Sequence, residues 1–221
     1  MIGDLAGARE DMIARRVVGR GVVDPHVLDA MRAVPREEFV DADLRPYAYD
    51  DGPLPIGEGQ TISQPYIVAL MMAAAPVRPG ARVLEVGAGC GYAAAVASRI
   101  AARVHAIELH ESLAQKARER LARLGYDNIE IRTGDGTSGW PEAAPFDAIL
   151  VSAGGPNAPD PLLAQLAVGG ALVIPVGPPP AQRLVRIART GEAAFHTDDL
   201  GGVAFVPLVG KHGWADDSMR R

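Results

Sequence analysis

Apolar and polar positions fall into two textures along this chain. Over the first 76 residues the apolar positions recur at helical spacing and are interrupted by breakers. Residues 8–20 carry a loose helical pattern that stops at Gly21, and Asp24-Pro25 reads as a capping Asp with Pro at the first helical position. Leu28, Met31 and Val34 follow at spacing three. Residues 46–60 are dense in Pro and Gly and read as a loop. A helix over 65–75, with Ile67, Leu70, Met71 and Ala74 along it, ends at Pro76.

From residue 81 apolar runs rich in β-branched residues alternate with helical stretches. The predicted strands are 81–86, 103–108, 128–132, 146–152 and 169–177. Helix 111–124 has one apolar stripe, Leu113, Ala117, Leu121 and Leu124, and Gly125 closes it. Such alternation implies an α/β fold with a doubly wound parallel sheet. Segments 182–190 and 201–210 read as two further strands with no helix between them, an antiparallel edge whose pairing order the pattern leaves open. The expected organisation is an N-terminal helical segment, 1–76, packed on a sheet domain, 77–221.

Composition narrows this picture. A chain of 221 residues with 48% hydrophobic and 22% charged residues has the balance of a globular domain. No apolar run approaches the length of a membrane span, and the N-terminal stretch has scattered charges and no apolar block, so no membrane partner and a cytoplasmic location are expected. A net charge of −5 argues against nucleic acid as a partner, and the single cysteine, Cys90, fits a reducing compartment. A monomer is expected. With 25 glycines, 18 prolines and only 5% aromatics, the fold needs many sharp junctions.

Candidate chemistry gathers at those junctions. The first strand runs into Glu85-Val86-Gly87-Ala88-Gly89-Cys90-Gly91-Tyr92. Glycines let a backbone turn sharply and approach a ligand, and the next helix presents a positive N-terminus. A dinucleotide fingerprint wants Gly or Ala where Tyr92 stands. Glu108 closes the second strand, 19 residues after Gly89, where a carboxylate accepts bonds from a ribose diol, and Gly134-Asp135-Gly136 follows the third strand. Glu85, Glu108 and Asp135 suit a nucleoside bearing hydroxyls, an amine and a cationic sulfur better than a pyrophosphate. His105 and His110 read as surface histidines and Cys90 as a small packed or cofactor-adjacent residue. The arginines of helix 111–124 read as a solvated face, and no metal site is expected.

This pattern resembles the S-adenosylmethionine (AdoMet) methyltransferases, with a Rossmann-like sheet. The segment Gly59-Gln60-Thr61-Ile62-Ser63-Gln64-Pro65-Tyr66 resembles the signature of the protein-L-isoaspartate O-methyltransferase family, as do AVPREEFV (33–40), VLEVGAGCGYAAAVAS (83–98), GWP (139–141), PFDAILVSA (145–153), GGALVIPVG (169–177) and FVPLVG (205–210). The likeness spans about residues 10 to 210; Ala88, Cys90 and the run Ser152–Pro156 depart from the family's usual residues.

The resemblance implies a repair enzyme that methylates the free α-carboxylate of L-isoaspartyl residues in damaged proteins and peptides, with AdoMet as donor and S-adenosylhomocysteine (AdoHcy) as product. It places Ser63 at the acceptor carboxylate. Gln60, Thr61, Glu85, Gly87, Gly89, Gly91, Glu108, Leu109, Asp135 and Gly136 would hold the cofactor: Glu85 near the methionine end, Glu108 on the ribose, Asp135 near the adenine. Ser63, just before Gln-Pro at a helix start, also reads as an ordinary N-cap.

Three other readings stay open. One is a same-fold enzyme that esterifies Asp in a dedicated peptide to install an aspartimide; such relatives carry C-terminal extensions, whereas this sequence stops 11 residues after Gly210. Another is a module that binds AdoMet without turnover. An NAD-dependent oxidoreductase is disfavoured by Tyr92 and the three carboxylates.

Overall fold

A computed structural model describes residues 4–215 of the chain, so Met1–Gly3 and the last six residues, which the expected segment boundaries take in, lie outside it. Two sheets form. Strands β1 (Leu54–Gly57) and β2 (Gln60–Ile62) make a small antiparallel hairpin. The main sheet holds β3 (Arg82–Val86), β4 (Arg103–Glu108), β5 (Ile129–Thr133), β6 (Phe146–Val151), β7 (Leu166–Val176), β8 (Gln182–Arg189) and β9 (Phe195–Val203). Its order is β5-β4-β3-β6-β7-β8-β9; the first five strands run parallel and the last two are antiparallel, as the sequence pattern implies.

The chain starts this sheet at β3, steps outward to β4 and β5, then returns to β6 on the other side of β3. That reversal opens a crevice beyond the carboxyl ends of β3, β4 and β6, the place where open α/β sheets bind ligands. β3, β4 and β6 are buried nearly end to end, because helices cover a parallel sheet on both faces. This explains His105, which is no surface histidine. It lies buried on β4 with its ring edge-on to Trp140 at 5.0 Å and Phe146 at 5.7 Å.

The N-terminal segment shares a core with the sheet. Helix α1 (Leu5–Met12) is capped by Asp4, whose side chain accepts the Gly7 amide, and continues through a wider turn (Ile13–Val17) and a tight one (Val18–Arg20) to Gly21 at φ 93°. Helix α2 (Pro25–Ala33) has the expected cap, Asp24 accepting the His26 and Val27 amides. Met12, Val17, Met31 and Phe39 join Val83, Ala95 and Val104 in one continuous apolar cluster. Arg9 adds polar ties: its guanidinium donates to the Tyr49 hydroxyl and the Arg32 carbonyl and pairs with Glu37.

Four local expectations change. The Pro- and Gly-rich loop 46–60 contains most of the β1–β2 hairpin, whose strands are too short for an alternation to register. β7 begins at Leu166, ahead of Gly169-Gly170, with a register shift against β6. The last strand is Phe195–Val203 and not 201–210: Pro207 has no amide for a ladder, and residues 206–209 instead bond across to Gly154 and Trp214. Lastly, α5 (Glu111–Arg123) is not simply a solvated basic face, since Arg120 donates to the Cys90 carbonyl and Arg123 pairs with Glu38.

Candidate active site

The glycine loop after β3 hangs on the end of β4: the Gly87 and Ala88 amides both donate to the Ile107 carbonyl. Gly89 has φ 54°, and a Cβ there would meet Ile56 Cδ1 at 3.0 Å, so the hairpin closes over bare backbone. Helix α4 (Tyr92–Ser98) then leads away from the crevice. Together these elements enclose a cavity of about 460 Å³, within the usual range for a small-molecule site.

Most of the predicted site residues converge on this cavity. Gln60, Thr61, Ser63, Glu85, Gly87, Gly89, Glu108, Leu109 and Gly136 all line it. Gly136 lies under Val86, whose Cγ1 a Cβ would meet at 2.5 Å, so the third strand's turn reaches the crevice only as glycine. Gly91 and Asp135 are not in the wall. Gly91 is the left-handed residue before α4 (φ 87°), packed against Leu121 and Ala117. The Asp135 carboxylate turns to the tail and to its own turn: it accepts the Thr137 amide and hydroxyl and the Lys211 amide. Burial pushes the Asp135 pKa up, but these bonds outweigh it and hold it below the usual range.

The two glutamates differ sharply. Glu108 is 4% exposed, yet each of its oxygens accepts a backbone amide, Oε2 from Gly89 at 2.7 Å and Oε1 from His110 at 3.0 Å. Each oxygen keeps a further lone pair for a hydroxyl. Glu85 is 2% exposed, and its Oε2 is buried with no partner. Burial first, and the nearby Glu108 second, push its pKa well above the ordinary carboxylate range. A cation in the cavity reverses that pressure, and a pyrophosphate aggravates it. The buried orphan oxygen, the bare glycine backbone and the apolar Ile56 and Leu109 therefore fit a cationic nucleoside such as AdoMet.

Sequence reasoning missed several walls. Ile56 and Glu58 come from the hairpin, and Val206–Val209 from the tail that was expected to be a strand. Glu58 sits at the hairpin tip with φ 52°, and its carboxylate accepts the Ser112 hydroxyl of α5 at 2.6 Å. Ser63 is not the cap of the next helix, α3 (Pro65–Ala74). Gln64 holds that position and no side-chain bond caps it. Ser63 stands instead where the cavity meets a second groove of about 810 Å³, bordered by Gln64, Tyr66, Arg183 and Val203–Val206; Thr61, Ser152 and Val206 share both linings with it. Among the described residues no cluster of three metal-ligating side chains forms, and no helix is long and apolar enough to cross a membrane.

A parallel sheet with its switch point at β3 and β6, a glycine loop after β3 and an acidic residue closing β4 define a class I AdoMet-dependent methyltransferase fold. The family model for protein-L-isoaspartate(D-aspartate) O-methyltransferase matches residues 8–213, and the chain belongs to that family. A protein-L-isoaspartate O-methyltransferase of Methylorubrum extorquens strain PA1 is 60% identical over 215 residues, covering 97% of this chain and 94% of that protein. One of Pelotomaculum thermopropionicum is 54% identical over 213 residues, 96% of this chain and 93% of the relative. Among solved structures, a protein-L-isoaspartate O-methyltransferase superposes with a TM-score of 0.84 at 31% identity, over 93% of this chain and 67% of the other. A protein from Plasmodium falciparum, described as a beta-aspartate methyltransferase in complex with AdoHcy, gives 0.77 at 27% identity, over 92% and 97%.

Proposed function

We propose that this chain methylates the free α-carboxylate of L-isoaspartyl residues in damaged proteins and peptides, with Ser63 at the acceptor. The observation that carries the assignment of the reacting point is the junction at Ser63. A cavity suited to a cationic nucleoside and a wider groove suited to a polypeptide meet along Thr61, Ser63, Ser152 and Val206, and Ser63 carries a hydroxyl to that seam on the turn just before α3. The activity itself follows from the family, whose curated relatives match this chain over nearly its whole length.

AdoMet, when bound, supplies a methyl group already activated by a positively charged sulfur. The chain's task is then alignment and not proton transfer, since a carboxylate with a pKa near 4 is ionised at neutral pH and needs no general base. Glu108 takes the ribose hydroxyls while it fixes the Gly89 amide. Glu85 faces the cationic end, and its unpartnered oxygen gains a counter-charge there. Leu109 offers an apolar surface at the cavity mouth, and Asp135 shapes the turn that brings Gly136 into the wall. Gln60 and Thr61 line the entrance beside Ser63.

Ser63 donates its hydroxyl to one oxygen of the acceptor carboxylate. The other oxygen would stay free to face the donor; AdoMet held by Glu85, Gly89 and Glu108 would supply its methyl group there and depart as neutral AdoHcy. Methoxide leaves an ester far more readily than oxide leaves a carboxylate, so outside the enzyme the neighbouring backbone nitrogen attacks the ester carbonyl, loses its proton, expels methanol and closes a succinimide. Hydrolysis then returns part of it as normal aspartate. A monomer free in the cytoplasm, acting on varied polypeptides, accords with this reading.

The test is methyl transfer from labelled AdoMet to matched peptides containing isoaspartate, aspartate or neither. A base-labile methyl ester on the isoaspartyl peptide alone is expected, and no transfer to that peptide overturns the proposal.

A further inference from the structure

Arg36 is the largest fully buried side chain of the described residues, with no exposed surface. A buried guanidinium normally faces a carboxylate, because burying an unpaired charge is costly. Here its partners are neutral. Nε donates to the Ala48 carbonyl at 2.7 Å, Nη2 donates to the Ser63 carbonyl at 2.8 Å, and Nη1 is buried with no partner. The guanidinium carbon lies over the Tyr92 ring, 4.8 Å from its centroid. Burial lowers the Arg36 pKa, as expected of an unpaired buried cation.

These contacts join three separate pieces of chain. Ala48 belongs to the loop before the hairpin, Ser63 to the turn at the junction of cavity and groove, and Tyr92 to the start of α4 in the cavity wall. A planar fork reaches two carbonyls and an aromatic face at once, which a compact ammonium does not. Mere filling of the core is achieved at less cost by an apolar side chain of similar size. The arrangement instead fixes the backbone of the acceptor turn against the helix that starts at the cofactor loop.

We propose that Arg36 is the positioning residue of the acceptor turn: it sets Ser63 relative to the cofactor cavity through the Ser63 carbonyl and the Tyr92 ring. This rests on Ser63 being the acceptor-side residue. It touches neither substrate nor cofactor, so its loss affects transfer and leaves the cofactor's own contacts in place.

The test is Arg36→Lys, which keeps the charge and removes the fork. kcat/KM for an isoaspartyl peptide is expected to fall roughly tenfold, since small misplacements of a reacting pair are costly. The AdoHcy dissociation constant should stay within about twofold, the usual scatter for uncoupled sites. Should the lysine variant be unfolded at the assay temperature, Arg36→Gln, a planar donor with no charge to bury, gives the same comparison. Combined with Ser63→Ala, the loss should be smaller than the product of the single losses, because both act at one turn. Wild-type kcat/KM in a folded Arg36 variant, or fully multiplicative losses, overturns the positioning role. Wild-type kcat/KM in Ser63→Ala overturns the acceptor reading beneath it, so the two failures are told apart.

Discussion

Glu108 Oε2 accepts the amide of Gly89 at 2.7 Å, so the residue that closes β4 also holds the glycine loop that follows β3. One carboxylate thus shapes the glycine loop and lines the cavity. Glu108→Ala is expected to raise the AdoMet dissociation constant at least about tenfold, the scale of one lost charge-assisted hydrogen bond. Turnover at saturating AdoMet should change less. Calorimetric titration beside steady-state kinetics checks the split; an unchanged dissociation constant counts against the ribose role.

Glu85 gives a pH signature. Burial and then Glu108 raise its pKa, so in the free protein it holds a proton above the usual carboxylate range. A bound cation favours the ionised form and pulls that pKa down. AdoMet affinity should therefore rise with pH through the raised pKa, with proton release on binding, and then level off. Titration upward from the ordinary carboxylate range follows the shift, and Glu85→Gln should flatten the curve and bind more weakly.

The same residue links site and stability. A carboxyl whose folded pKa is raised contributes stability at low pH that is lost as pH rises through that pKa. Glu85→Gln removes a carboxylate that is costly to bury, so the ligand-free variant should melt higher than wild type at neutral pH while binding AdoMet worse. Thermal melts with and without AdoHcy read both effects; a lower ligand-free melting temperature contradicts the reading.

The hairpin tip is tied down by the Ser112 hydroxyl donating to Glu58. This bond is exposed, so Ser112→Ala should speed AdoHcy release only about two- to fivefold, the scale of one modest hydrogen bond. Stopped-flow displacement measures it. An unchanged release rate shows that the hairpin does not limit exchange.

Gly136→Ala tests the turn that carries the third edge of the cavity. Its Cβ would meet Val86 Cγ1 at 2.5 Å. Overpacking of this kind costs about 1–3 kcal/mol. Urea unfolding should show that loss together with weaker AdoMet binding, and wild-type stability would show that the strand yields freely.

Much of this was legible in the chain because β-branched runs and glycine stops are local signals. β3, β4, β5 and β6 lie where the pattern places them, and Glu85, one residue before the end of β3, and Glu108, the last of β4, reach the cavity together. What escaped depends on distant partners. The setting of Asp135 is one such case: Lys211, 76 residues away, donates its amide to one oxygen of that carboxylate. FVPLVG has the composition of a strand, yet the Gly154 backbone and not a ladder receives it. Arg36 looks like any charged residue in AVPREEFV; only the fold seals it under Ser63. His105 alternates with apolar neighbours as a surface position does, and helices on both faces of the sheet bury it.

The most direct measurement of repair follows the peptide and not the label. An isoaspartyl peptide incubated with the enzyme and AdoMet, then resolved chromatographically from its aspartyl form over many turnovers, should lose the isoaspartyl species and gain the aspartyl one, with a succinimide between them. An isoaspartyl content that stays constant while AdoHcy accumulates, or an ester on the aspartyl peptide instead, would contradict it.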